Sequence, residues 1–339
     1  MTCLTGEAKA MRNDISRKGL VLGILLLFVT AGIVSALNAN PFSNSLSTYS
    51  GKWLYVGGSG PGNYSTIQDA INNAGPGDTI FVYHGTYYGY FKVSQLTLIG
   101  EDRNTTIIDG GGAFSEVLHI EDEVNIQGFT VQNTNHSSIG DVAFFMEGKD
   151  ITISNNIITE CSFGIYDYYA GGEIDIFNNI FLNISDRCIT FQEEILKKSV
   201  YSIHDNYFYS NHIGIHAGGG RSVSIEHNHF EDNDIGVDAF GSHATINRNN
   251  FINNDIQAQF ERVLWPMAMF YYPMYYKPSF SENYWEDWVN STPRPIRGNF
   301  LFVMMNWFKV GYAWTFSLPI LLQFDEHPAQ EPYDIPGVS

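Results

Sequence analysis

The sequence predicts an all-β protein, a right-handed parallel β-helix (solenoid) with a short N-terminal capping helix. A pattern of one apolar residue, two variable residues, asparagine, one variable residue and a second apolar residue recurs along the chain. Its coils of roughly 21–27 residues contain short alternating strands and no helix-length run of 3.6-residue period. A unit this short cannot bury its own apolar face, so neighbouring coils must stack. The repeated asparagines are Asn156, Asn179, Asn206, Asn228, Asn249 and Asn283.

Stacking has a direct consequence for these asparagines. Equivalent residues of neighbouring coils should lie about 4.8 Å apart along the axis. The asparagines should then form an internal ladder at one bend, with their amides bonded to each other and to the turn backbone. We therefore expect them to be structural. A leucine-rich horseshoe would require a regular leucine pattern, and a β-propeller would require units of roughly 40–45 residues.

The N-terminal region has the features of an export signal. Three basic residues precede an apolar run at 20–34, and Val34-Ser35-Ala36 supplies a small-residue cleavage site. The run is short for a membrane span, which needs about 20 residues. We predict a signal peptide at 1–36 and a linker at 37–62, with secretion or display at the cell surface. The alternative is an uncleaved anchor, which would make 20–34 the one segment in contact with a membrane.

The predicted β-helix domain covers residues 63–335 and needs a cover for its open end. Ser65 to Ala74 has the pattern of a short amphipathic helix, with Ser65 or Thr66 as N-cap. We expect this helix to plug the N-terminal end of the solenoid. Further strands are predicted at Thr79–Tyr83, Leu96–Ile99, Thr106–Ile108, Val117–Ile120, Val124–Val131 and Val142–Met146. Residues 300–305 and 310–324 are predicted to be terminal strands or a C-terminal cap.

The net charge of the chain narrows the classes of ligand that it can bind. The formal net charge is −18, although only 16% of residues are charged. This acidity argues against nucleic-acid binding, which needs a Lys/Arg-rich face, and is compatible with the binding of cations or neutral glycans.

The two cysteines of the predicted β-helix domain are not expected to form a disulfide. Cys161 and Cys188 fall at different offsets from their ladder asparagines, so they should be too far apart to bridge. We predict two free thiols, with Cys188 pointing inward.

Several segments resemble a known superfamily. Tyr64–Ile71, Pro76–Val82 and Leu96–Gly100 resemble the opening of pectin-lyase-like right-handed β-helix proteins. The asparagine coils resemble those of NosD-type repeat proteins, and Asn283–Trp288 with His327–Tyr333 is similar to the tail of such proteins in methanogenic archaea. The resemblance covers most of 52–335 and implies the fold. It implies no single activity, because the superfamily includes lyases, hydrolases, esterases, glycan binders and adhesins.

Alignment of the coils gives one candidate catalytic column, formed by Asp205, His227 and Arg248. Neighbouring columns pair His204 with Glu226, and His216 with Asp238. An Asp–His pair about 5 Å apart could tune a histidine as acid or base. The alternative is a solvated outer face with cross-strand pairs worth about 0.2–1 kcal/mol each. The Gly-His-Gly turn of pectic hydrolases is absent from the sequence.

An aromatic insertion at 263–278 provides candidate carbohydrate-binding residues: Trp265, Tyr271, Tyr272 and Tyr275. Exposed rings of this kind can stack on sugars, whereas the alternative is a loop whose aromatics pack against the solenoid. Three methionines in the same insertion could suggest Cu(I), but methionines among aromatics are more often packing residues. We predict no metal site and no cofactor, with Ca²⁺ left open.

Three functional hypotheses follow. The first is an exported scaffold that binds polysaccharide or envelope components without catalysis. The second is a polysaccharide lyase or glycoside hydrolase whose groove lies around residues 203–259. The third is a metal-handling accessory protein, which follows from the NosD resemblance alone.

Overall fold

The computed structural model describes residues 51–134, 141–191, 199–218, 222–240, 242–264, 278–288, 290–305 and 313–335. The predicted signal peptide and the four aromatic residues of the insertion lie outside these ranges. Within them the chain is a right-handed parallel β-helix with one short helix, α1 (Ile67–Asn73). Its strands fall into three sets, here called faces A, B and C, because successive coils pair in parallel along three sides.

Face A contains β1 (Trp53–Val56), β2 (Thr79–Val82), β5 (Thr97–Gly100), β8 (Val124–Gln127), β11 (Lys149–Ser154), β14 (Gly171–Phe177), β17 (Ser199–His204), β20 (Ser222–Glu226), β23 (His243–Asn247) and β26 (Ser279–Ser281). Face B contains β3 (Gly85–Tyr88), β6 (Thr106–Asp109), β9 (Thr130–Gln132), β12 (Ile157–Thr159), β15 (Ile180–Leu182), β18 (Tyr207–Tyr209), β21 (His229–Glu231), β24 (Asn250–Ile252) and β27 (Tyr284–Trp285). Face C contains β4 (Phe91–Val93), β7 (Glu116–Ile120), β10 (Val142–Met146), β13 (Phe163–Asp167), β16 (Arg187–Phe191), β19 (Ile213–Ala217), β22 (Ile235–Phe240), β25 (Ile256–Leu264) and β28 (Arg294–Met305). The last strand is β29 (Ala313–Asp325).

The register of the coils confirms the alignment made from the sequence. On face A the isoleucines that precede each asparagine pair in the order Ile153, Ile176, Ile203, Ile225 and Ile246. All five are 0% exposed. Because side chains alternate along a strand, one residue type at one register position forms a continuous buried row.

Aromatic rings form a second interior row behind face B. Phe181, Phe208, Phe230, Phe251 and Trp285 stack with centroids 4.4–4.9 Å apart and planes within 8° of parallel. Each ring is fully buried. The spacing matches the rise of one coil, so the second apolar residue of the repeat forms a stacked aromatic column in the core.

The predicted N-terminal cap is confirmed. Thr66 is the N-cap of α1 and accepts a hydrogen bond from the Asp69 backbone N–H at 3.1 Å. Ile67 and Ala70 are buried against the first strands. β1 precedes the helix and pairs with β2, so the coils begin within the stretch predicted as a linker (37–62).

The C-terminal end is organised by two long strands. β28 pairs in parallel with β25 on face C and antiparallel with β29. β29 then reaches face A, where Asp325 lies opposite Phe280 of β26. The apolar stretches predicted as terminal strands therefore belong to a hairpin that joins faces A and C. In the described part of the chain, no helix has the length and apolar character needed to cross a membrane.

Two further predictions can be compared with the structure. The single strand predicted at Val124–Val131 is wrong, because the chain turns at Gly128, whose φ is 85°. β8 and β9 on either side of that turn belong to different faces. The prediction for Cys161 and Cys188 is confirmed, since both are free thiols and both are 0% exposed.

Candidate functional site

The repeated asparagines form the predicted internal ladder, here called the first asparagine ladder. The Oδ1 atom of each asparagine accepts the backbone N–H of the preceding one at 2.9–3.0 Å. Each Nδ2 donates to a strand carbonyl one coil back; Asn228 Nδ2, for example, lies 2.8 Å from the Ile203 oxygen. Every side-chain amide of the ladder is thus bonded to the backbone and to a neighbouring ladder side chain, which supports a structural role for these residues.

A second asparagine ladder, formed by Asn211, Asn233 and Asn254, was not predicted. Asn211 donates its backbone N–H to Asn233 Oδ1, and Asn233 donates its own to Asn254 Oδ1, both at 3.0 Å. The three residues stand at the corner between faces B and C. The sequence contained a signal for them, since each follows a first-ladder asparagine by five residues.

The predicted catalytic column is a column of turn residues. Asp205, His227 and Arg248 each immediately precede a first-ladder asparagine and have φ values of 54°, 51° and 54°. Asn155 and Asn178 hold the same left-handed position in earlier coils. The column therefore marks the bend between faces A and B, where the chain requires positive φ.

These three side chains do not pair with one another in the structure. Asp205 Oδ2 lies 2.7 Å from His204 Nδ1, and Arg248 Nε donates to Glu282 Oε2 at 2.7 Å. The His227 ring stands edge-on to a C-terminal tyrosine, with centroids 5.9 Å apart. A catalytic role for the column stays a prediction.

The neighbouring columns were aligned correctly. His204 pairs with Glu226 across the strands of face A, and His216 pairs with Asp238 across face C. His216 Nδ1 lies 2.8 Å from Asp238 Oδ2, a geometry that can fix the imidazole tautomer.

The outward side of face C carries a continuous row of side chains, one from each coil. The register fixes their order as Lys92, His119, Phe145, Tyr166, Thr190, His216, Asp238 and Gln259. Thr190 and Asp238 are buried, at 3% and 9% exposure. The more accessible part of the row is consequently its N-terminal, aromatic half.

The rings of that half, His119, Phe145 and Tyr166, together with the neighbouring rings of Tyr90 and Tyr168, are here called the aromatic row. The Phe145 ring lies 5.1 Å from His119 and 6.0 Å from Tyr166, whose plane is within 8° of parallel. The Tyr168 ring also stacks on Phe145, with centroids 5.3 Å apart, and Tyr90 stands edge-on to His119 at 6.3 Å. Tyr90 and Tyr168 are each 38% exposed. Partly exposed rings thus follow the solenoid axis for several coils.

Polar groups accompany the rings. His119 contacts two carboxylates, with Nδ1 3.1 Å from Glu116 and Nε2 3.0 Å from Glu147. Burial raises the pKa of Tyr166 and of Tyr90, so both phenols stay protonated at neutral pH and keep a donor. The aromatic row therefore combines apolar ring faces with hydroxyl donors and carboxylate acceptors at its edges.

A second concave feature lies where the second asparagine ladder ends. The cavity has a volume of about 500 Å³. Its lining residues come from the turn before β25 and the start of that strand, and from the loop before β28 and the start of that strand. Its polar and apolar lining includes Asn254, Ile256, Gln257, Glu286, Asp287 and Arg294.

The described ranges contain no set of His, Cys, Asp and Glu side chains arranged to bind a metal ion. No group of three or more His, Cys, Asp or Glu residues there could hold a metal ion. Burial raises the pKa of Cys161 to about 12 and that of Cys188 well above its usual value, so neither thiol is a ready metal ligand. Among the described residues, His, Cys, Asp and Glu side chains thus form no cluster suited to copper. The predicted carbohydrate ligands Trp265, Tyr271, Tyr272 and Tyr275 lie outside those ranges.

Comparison with known proteins supports the fold. The family model described as periplasmic copper-binding protein (NosD) matches residues 71–289. Among curated proteins, none matches the chain. The PL6 family alginate lyase AlyGC is similar in structure, with a TM-score of 0.52, 17% identity, and coverage of 70% of this chain and 36% of that one.

Two further solved structures are more distant. An alginate lyase from Paenibacillus sp. str. FPU-7 has a TM-score of 0.42 and 14% identity, covering 57% of this chain and 90% of that one. A pectin methylesterase from carrot has a TM-score of 0.36 and 13% identity, covering 63% and 82%. The chain spans about a third of the first alginate lyase, and at these identities the likeness shows the fold alone.

Proposed function

Since the chain belongs to the NosD family, whose description is periplasmic, we propose that it is an exported scaffold that binds polysaccharide along face C without cleaving it. The observation that carries the proposal is the aromatic row. Rings from successive coils follow one another along the solenoid axis, and two residues of the row, Tyr90 and Tyr168, are each 38% exposed. Such rings bury the apolar faces of sugars while their polar edges bond the hydroxyls.

The linear arrangement of the aromatic row favours an extended polymer over a small molecule as the ligand. Coils repeat every 4.8 Å or so, so each coil offers one ring or polar group to an extended polymer lying along the axis. Net charge of −18 favours neutral polysaccharide over polyanions, because an acidic protein repels a negatively charged chain.

The non-catalytic part of the proposal is supported by the location of the candidate acid–base residues. On the aromatic row, both ring nitrogens of His119 lie beside carboxylates, and Lys92 on the neighbouring strand is paired with Glu121 at 2.7 Å. The candidate column of Asp205, His227 and Arg248 lies at the bend between faces A and B, away from face C. Binding surface and candidate acid–base residues are therefore on different sides of the solenoid.

The test is affinity electrophoresis of the purified protein in gels that contain neutral or acidic polysaccharides, with products assayed in parallel. The variants Tyr166→Ala and Tyr168→Ala remove two rings of the aromatic row. The matched control is Tyr209→Ala, which removes a ring that is 36% exposed on face B. We expect retention by a neutral polysaccharide, at least tenfold weaker in the two row variants and unchanged in the control.

Equal retention of all four proteins would contradict binding at face C. New reducing ends or unsaturated products would contradict the non-catalytic part of the proposal. In that case Asp205→Ala and His227→Ala decide whether the predicted column is responsible, since loss of turnover with folding intact would identify it.

A further inference from the structure

The second asparagine ladder ends at a backbone donor without a partner. Within the ladder, the N–H of each asparagine points along the axis and donates to the Oδ1 of the next. Asn254 is the last member, and among the described residues no acceptor bonds its N–H. Its Nδ2 is occupied by the Phe230 carbonyl at 2.9 Å and by Gln257 Oε1 at 2.7 Å. Asn254 is 8% exposed and lines the cavity, so this unpaired donor belongs to a mostly buried residue at the cavity wall.

The next coil leaves this place open because its chain loops outward. β24 ends at Ile252 and β25 begins at Ile256, so three residues make that turn. In the following coil, β27 ends at Trp285 and β28 begins at Arg294, which leaves eight residues for the same corner. The cavity of about 500 Å³ is lined by residues of both turns, Asn254 from the first and Glu286 and Asp287 from the second.

The lining is acidic. Asp255, Glu286 and Asp287 contribute three carboxylates, whereas Arg294 is the one cation among the lining residues. Arg294 is already neutralised, because its Nη2 lies 2.9 and 2.7 Å from the two oxygens of Asp287. Its guanidinium also lies 4.2 Å from the centre of the Trp285 ring. An anionic ligand would therefore meet uncompensated negative charge in this cavity.

Apolar groups stand beside these polar ones. Ile256 is 41% exposed, the one isoleucine among the exposed large apolar residues of the described ranges, and Pro295 also lines the cavity. A fitting ligand group therefore has a carbonyl for the Asn254 N–H, an N–H for a carboxylate, and a methyl for Ile256. An acetamido group has all three and is neutral.

We propose that this cavity, here called the amide pocket, binds the N-acetyl group of an amino sugar. The ligand's amide takes the place of the missing ladder asparagine, with its carbonyl oxygen accepting from Asn254. This inference rests on the proposed glycan-binding function and adds the sugar class to it. Uronic acids are excluded by the acidic lining, and sugars without the acetamido group leave the Asn254 donor unpaired.

The test uses isothermal titration calorimetry on the full protein with three disaccharides. They are a β-1,4-linked N-acetylglucosamine disaccharide, a glucose disaccharide of the same linkage, and a uronate disaccharide. Ile256→Trp fills the pocket from an exposed strand position without removing a hydrogen bond. The matched control, Val200→Trp, adds the same ring at a face A position that is 60% exposed.

We expect the N-acetylated disaccharide to bind at least tenfold more tightly than the glucose disaccharide, and the uronate to bind most weakly. Ile256→Trp should abolish this preference, and Val200→Trp should keep it. Equal affinity for the two neutral sugars, a preference for the uronate, or full binding by Ile256→Trp would each overturn the amide pocket. Tyr166→Ala lies outside the pocket, so polysaccharide retention that still depends on Tyr166 would show that the face C proposal survives such a failure.

Discussion

Asn283 donates both its backbone N–H and its side-chain Nδ2 to one oxygen of Asp325, at 3.0 and 3.1 Å. Each ladder asparagine makes the same pair of bonds to the asparagine that follows it, as Asn249 does to Asn283. A carboxylate from β29, 42 residues further along the chain, therefore takes the role of the next amide. Asp325 also accepts from Trp285 Nε1 at 3.0 Å and is 0% exposed. The C-terminal hairpin closes the first asparagine ladder through this one side chain.

Replacement of Asp325 should destabilise the whole solenoid end. Asp325→Ala leaves the buried donors of Asn283 and Trp285 without an acceptor, and we expect the free energy of unfolding to fall by about 3 kcal/mol. Urea unfolding followed by tryptophan fluorescence measures the change. Asp334→Ala, an exposed position in the same tail, is the control and should be neutral. A similar small effect of both variants would show that Asp325 does not close the ladder.

The second asparagine ladder should contribute to stability as the first does. Asn233→Ala removes the acceptor of the Asn211 N–H and the donor to the Phe208 carbonyl, so we expect a loss of about 2–3 kcal/mol. Asn228→Ala in the first ladder should cost a comparable amount. The half-exposed Asn247 supplies the control, because Asn247→Ala removes a single bond, from the Ser281 hydroxyl. If Asn233→Ala behaved like Asn247→Ala, the second ladder would be incidental to folding.

Stability should decrease on mild acidification because of His229. Burial lowers the pKa of His229 below its usual 6.5, an effect opposed in part by Glu231 at 3.2 Å. Tyr207 and Asn250 also face the ring. A lowered folded-state pKa means that the unfolded chain takes up the proton first as pH falls, so stability present above 6.5 is lost below it.

Measurement of the unfolding free energy between pH 7 and pH 5 tests this expectation. The slope should be smaller in His229→Asn, which removes the buried imidazole and introduces the residue that occupies the next coil at this position. The control Asn247→Ala removes a side chain that does not titrate and should leave the slope as it is in the parent. Identical slopes in all three proteins would contradict a role for His229.

The turn conformation of the candidate catalytic column also has a measurable consequence. His227 has a φ of 51°, a region that asparagine adopts more readily than histidine. We expect His227→Asn to raise the free energy of unfolding by up to about 1 kcal/mol. Glu226→Asn, one residue earlier and in an extended strand, should give no gain. A loss of stability in His227→Asn would indicate that the imidazole has contacts more important than the backbone conformation.

Much of the fold could be predicted because asparagine recurs at one position of the repeat. The spacing of the ladder asparagines determines the register of the coils, and Ile203 and Ile225 pair as that register requires. The helix from Ile67 could be predicted from its N-cap. The turn at Gly128 could not be predicted, because a continuous apolar run does not reveal where the chain passes from one face of the solenoid to the next.

The sites were less predictable for a related reason. Tyr166 and Phe145 belong to different coils and to no repeating residue type, so no spacing in the sequence marks the aromatic row. The column of Asp205 and His227 was visible in the alignment, yet alignment alone could not separate a turn position from an active site. Backbone conformation made that distinction.

By itself the sequence determined that the chain stacks, and in which register, because asparagine amides and apolar side chains can be buried only when each coil repeats them. The tertiary structure alone decided what stands on the outside and at the ends. Outward residues are free to vary within a register, so their neighbours become known only when hydrogen bonding brings the coils together. The bonds of Asp325 to the first ladder and the open end at Asn254 likewise depend on where the chain returns after the last coil, which no local pattern encodes.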